Sequence, residues 1–106
     1  MVDYFGIASG RNEDKFSRSG LTPVKSNLVD APYVGEFSFI LECRLIHMHE
    51  IGLHTQFIGE ILDIKADEDV LDDKGDLSVE KIKPIVYTPE YDYYFGLGKK
   101  LGKHIP

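Results

Sequence analysis

Two alternating runs of residues on either side of one glycine constrain this chain more than anything else in it. In "FSFILECRLIHMHE", Phe37, Phe39, Leu41, Cys43 and Leu45 fall on one face of an extended strand. Ser38, Ile40, Glu42, Arg44 and Ile46 fall on the other. In "TQFIGEILDIK", Phe57, Gly59, Ile61 and Asp63 oppose Ile58, Glu60, Leu62 and Ile64. Extended side chains alternate with a period of two, so each run reads as a half-buried strand. The short "IGLH" between them carries Gly52. An antiparallel hairpin pairing Phe37–Glu50 with Thr55–Lys65 is therefore expected. Gly59, inside the second strand, predicts a bulge or a place where something approaches the backbone closely.

A lone hairpin is marginal in water, so the remaining segments matter. "DYFGIA", residues 3–8, reads as a short helix or helix end closed by Ser9 and Gly10. "RNEDKFSRSG" supplies a further helical turn or two, with Asn12 as N-cap and Gly20 as stop. "LTPVKSNLVDAPYVG" has two prolines and no sustained period, which predicts an extended surface connection. A short helix is expected from Ser78 to Lys83, stopped by Pro84, and "IVYTPEYDYYFG" returns to β-favouring aromatic residues. With 106 residues the chain reads as a single domain, 1–106. Such a length buries somewhat over roughly 60% of its unfolded surface. Its strands are too few to close a sheet, so further strands are expected from a partner or a missing half. The apolar opening "DYFGIA" points the same way, because free termini are normally polar.

Several function classes recede. A net charge of −6 opposes the phosphate neutralisation that nucleic-acid binding needs. No apolar run reaches the roughly 18 residues of a membrane helix, and the first residues show no signal-peptide core. The single cysteine, Cys43, cannot form an internal disulfide and suits a reducing cytoplasm. In mid-strand among large apolar residues it reads as a small buried thiol. "DEDVLDDKGD" lacks the ligand spacing of a calcium loop and reads as solvated. His47 and His49 face one way on their strand, but no third metal ligand is placed, so exposed strand-end histidines are expected. The glycine patterns of nucleotide loops and the G-x-S-x-G nucleophile elbow are missing.

"SGRNEDKF" leaves two readings open. Ser9 and Gly10 precede Arg11, and Lys15 follows four residues later. A small polar turn with two cations could hold a phosphate through N–H groups and charge-assisted bonds. It could equally be a helix cap in which Arg11 and Lys15 balance Glu13 and Asp14, and the residues alone favour that cap.

In combination, "DYFGIASGRNEDKF", "GLTPVKSNLVDAPYV", "LECRL", "GLHTQFIGEILDIKADEDVLD" and "YYFGLGKKLGK" resemble the flavin reductase-like family and, within it, the flavoredoxin type. The resemblance implies a mainly β fold with α+β accessory elements, the split β-barrel of FMN-binding type, incomplete in this chain. It also implies a homodimer that binds FMN near the subunit interface, with NAD(P)H as a common electron donor. Ser9, Gly10, Arg11 and Lys15 would then lie close to the flavin, and His54 would wall the flavin or nicotinamide side. No side chain is expected as a catalytic nucleophile and no metal is implied. Family members carry a long stretch before the segment matching "DYFG", so the chain is expected to be the C-terminal part of such a domain. The rival expectation is a truncated, flavin-free assembly module that oligomerises through exposed strand edges.

Overall fold

The structure, a computed structural model, describes residues 1–106. It divides into two compact units, Met1–Lys65 and Ala66–Pro106. In chain order the first unit holds helix α1 (Val2–Ile7), helix α2 (Lys15–Ser19) and strands β1 (Pro23–Lys25), β2 (Pro32–Val34), β3 (Phe39–Ile51) and β4 (His54–Ala66). The second holds a 3-10 turn at Glu68–Val70, helix α3 (Val79–Ile82) and strands β5 (Ile85–Thr88) and β6 (Tyr93–Gly96). The strands form three separate two-stranded sheets, β1–β2, β3–β4 and β5–β6.

The expected long hairpin forms, with strands of 13 residues each. It begins at Phe39 rather than Phe37, which lies in the turn after β2. Gly52 carries φ +56° at the first position of the two-residue turn, a conformation that penalises any residue with a Cβ. This is the place glycine takes in a type II′ hairpin turn. A Cβ on Gly59 would come 3.1 Å from the Cβ of Cys43, so the close-approach reading of that glycine holds. Arg44 and Glu60 pair across the two strands.

Three local expectations need correction. The cap of α2 is Asp14, not Asn12: its Oδ1 accepts from the N–H groups of Phe16 at 3.1 Å and Ser17 at 3.3 Å. A carboxylate one residue before the helix reaches those donors, whereas Asn12 is spent in the preceding turn. Gly20 closes α2 in the left-handed region, as expected. The "LTPVKSNLVDAPYVG" connection is itself a small hairpin, with Pro23 opposite Val34 and Lys25 opposite Pro32. Its strands of three residues are too short to show a period. Buried Ser26 shapes the connecting loop by accepting from Leu28 N–H and Val29 N–H. Finally, Cys43 is exposed, and Glu42 on the opposite side is the buried residue of β3. The half-buried face predicted from alternation is covered only near the start of β3.

The β1–β2 hairpin is tied at its base by a carboxylate. Thr22 donates its N–H to both Glu36 oxygens, at 3.0 and 2.9 Å, and its hydroxyl to Oε1 at 2.6 Å. The Thr22 hydroxyl, then its N–H, hold the Glu36 carboxyl below its ordinary value of 4.5. A carboxyl depressed by folding stabilises the fold above its unfolded value, and that contribution is lost as pH falls through the lower folded value. Glu36→Gln should therefore weaken hydrogen-exchange protection of Gly35 N–H at neutral pH. The difference from the parent should fade as pH falls through the lowered folded value of Glu36. A variant difference that persists unchanged in acid would contradict this assignment.

The second unit is organised by turns. Asp72 Oδ1 accepts from Lys74 N–H and Asp76 N–H, so part of the acidic stretch serves its own backbone. Ser78 caps α3 and Lys83 ends it at φ +54°, just before Pro84, matching the expected helix. In β5–β6, Ile85 lies opposite Gly96 and Thr88 opposite Tyr93. Val70 is the one buried hydrophobic residue of the chain.

Candidate functional site

Ser9, Gly10 and Arg11 lie in the turn that leaves α1, and Lys15 opens α2. The turn is built from its own polar groups. Ser9 O accepts from the N–H groups of Asn12 and Glu13 at 3.0 and 3.1 Å. Ser9 Oγ accepts from Arg11 N–H at 3.3 Å. Two bonds close α1 onto the turn and α2: Lys15 Nζ donates to Phe5 O at 2.7 Å, and Tyr4 OH donates to Glu13 Oε2 at 2.7 Å. Glu13 beside the phenol raises the Tyr4 pKa. Below, the Ser17 hydroxyl, at 2.8 Å, leads the contacts that depress the Asp14 carboxyl.

These contacts divide the two cations. Lys15 is engaged in holding the turn, although an ammonium has three donors and can serve a second acceptor. The Arg11 guanidinium makes no hydrogen bond or ion pair within the chain, and Arg11 is exposed. Nothing lies within 4 Å of the position a Cβ would take on Gly10, so that side of the turn is open. An exposed guanidinium beside an open turn suits an anion such as a phosphate monoester. The four residues named from the sequence are thus brought into one segment.

His54 is placed elsewhere in the first unit, as the first residue of β4 directly after the Gly52 turn. It is exposed and shares no hydrogen bond with the 9–15 turn.

Two features escaped the sequence reading. The Glu42 side chain is 3% exposed, and neither of its oxygens receives a hydrogen bond. Lys65 Nζ stands 3.5 Å from Glu42 Oε2, an electrostatic contact rather than a well-formed hydrogen bond. The same ammonium bonds Asp63 at 3.0 Å, which depresses the Asp63 carboxyl and raises the Lys65 pKa. Alternation placed Glu42 on the more polar face, and no local signal announced its burial. In the second unit, a concavity of about 570 Å³ is lined by Val79, Lys83, Ile85, Leu97 and Lys99, among others. The glycine–lysine run "GLGKK" was its only trace in the sequence.

Comparison with known proteins places this geometry in a family. The family profile of the flavin reductase like domain matches residues 1–93. The structure of flavoredoxin from Desulfovibrio vulgaris (Miyazaki F) is similar, with TM-score 0.83 and 51% identity over 95% of this chain and 54% of that one. A structure with a split-barrel domain from Shewanella frigidimarina aligns at TM-score 0.70 and 24% identity, covering 98% of this chain and 52% of the other. Among curated relatives, an uncharacterised protein of Archaeoglobus fulgidus is 38% identical over 73 residues, 69% of this chain and 41% of its own length. The chain thus spans about half the length, or less, of the proteins it matches. Its strand-rich architecture is that of the split-barrel flavin reductase-like folds, with sheets that do not close within these 106 residues. No helix is long and apolar enough to cross a membrane. The chain belongs to the flavin reductase-like family.

Proposed function

We propose that this chain is the flavin-binding part of an FMN-dependent electron-transfer protein or flavin reductase, flavoredoxin-like, with NAD(P)H as the candidate donor. The observation that carries the reading is its 51% identity to a flavoredoxin over nearly the whole chain. The 9–15 turn supports it chemically. Arg11 and Lys15 supply cations for the phosphate, Ser9 keeps the turn in shape, and Gly10 leaves room for close approach. His54 is assigned to the ring side. When bound, the flavin supplies the hydride or electron transfer, and the protein contributes position and electrostatics. The assembly is proposed to be a homodimer, in the cytoplasm, where Cys43 stays reduced.

A second reading, a flavin-free assembly module, draws on the exposed apolar side chains of β3 and β4. The two separate by visible absorption of the purified chain titrated with FMN. Saturable binding with a perturbed flavin spectrum is the expected result. A chain that leaves the spectrum of free FMN unchanged at every concentration would leave only the assembly module.

A further inference from the structure

His47 and His49 belong to no part of the proposed flavin site, yet they are held together. They alternate on β3, so both side chains leave the same face of the strand. Their rings stand edge to face, with centroids 4.1 Å apart and planes at 82°. Both residues are exposed. The nearest cationic side chain along the strand, Arg44, is paired with Glu60. The chain as a whole carries a net charge of −6, which favours accumulation of cations at its surface.

We propose that His47 and His49 form a two-imidazole chelate for a late first-row divalent cation, with water in the remaining positions. Metal–nitrogen bonds of about 2.0–2.1 Å put each ring centroid roughly 3.2 Å from the ion. Two rings at 90° to 109° around one ion then have centroids about 4.5–5.2 Å apart. The observed 4.1 Å is within a small side-chain rotation of that range, and exposed rings on a strand are free to make it. The ligand type selects the metal. Imidazole suits zinc, copper and nickel, whereas calcium and magnesium require oxygen ligands. Because the rings are two residues apart on one rigid strand, binding by the first places the second at high effective concentration.

The test uses the full chain and Zn²⁺ alone, followed by isothermal calorimetry. Saturation at one ion per chain is expected. His47→Gln and His49→Gln should each weaken binding by roughly a hundredfold, because each removes the second half of a chelate. The double variant, left with neither imidazole, should show no saturable binding at this site, and His104→Gln should bind as the parent does. Unchanged circular dichroism in the variants separates loss of ligand from loss of fold. Absence of saturable binding by the parent, full binding by either single variant, or loss of binding in His104→Gln would each overturn the proposal. Failure of flavin binding would not touch it.

Discussion

Replacing Arg11 with alanine is expected to weaken FMN binding by about tenfold to a hundredfold, while riboflavin loses little. A charge-assisted bond to phosphate contributes roughly 1.5–3 kcal/mol, and each 1.4 kcal/mol is about a factor of ten in affinity. The guanidinium has no partner inside the chain, so its removal leaves the turn standing. Ser9 still accepts from Asn12 and Glu13, and Lys15 still closes on Phe5. The contrast with Lys15 sharpens the test. Its ammonium bonds a helix carbonyl, so Lys15→Ala should loosen the turn and lower the affinity for both ligands. His54→Ala should likewise affect both, or the reactivity with nicotinamide, because it is assigned to the ring. Equal losses of FMN and riboflavin in Arg11→Ala would remove its phosphate role.

The second large effect concerns association. In the β3–β4 hairpin, Leu45, Phe57 and Ile61 are 55%, 64% and 53% exposed. Apolar side chains so open on a paired sheet suit burial against a second copy of the chain. The chain is expected to associate in solution, and Phe57→Asp is expected to dissociate it. Burying one phenylalanine stabilises by roughly 1.5–3 kcal/mol, and a two-fold contact counts it twice. The dissociation constant should rise by about a hundredfold or more. Sedimentation velocity across a concentration series reads this directly. A parent chain that stays monomeric, or a variant as associated as the parent, would sink the surface assignment.

The elements that sequence determined alone are those whose cause is local. The long hairpin follows from alternation on both sides of Gly52, a residue that tolerates the positive φ of the turn. Helix α3 follows from Ser78 at its start and Pro84 beyond its end. The grouping of Ser9, Gly10, Arg11 and Lys15 was equally legible, since one turn and the start of one helix contain all four. The family resemblance, carried by motifs spread along the chain, was legible as well, and the match over residues 1–93 agrees with it.

Tertiary structure decided what depends on neighbours distant in sequence. Alternation states which residues share a face, but not what covers that face. Hence Cys43 proved exposed and Glu42 buried, although the apolar run around Cys43 suggested the reverse. The pairing of β1 with β2 was hidden because three-residue strands between prolines carry no period. The division of labour between Lys15 and Arg11 came from a single carbonyl, Phe5 O, ten residues from the lysine it holds. His47 and His49 show both levels in one pair. Their common face was set by strand geometry, but the 4.1 Å between their rings depends on side-chain rotamers that alternation does not specify.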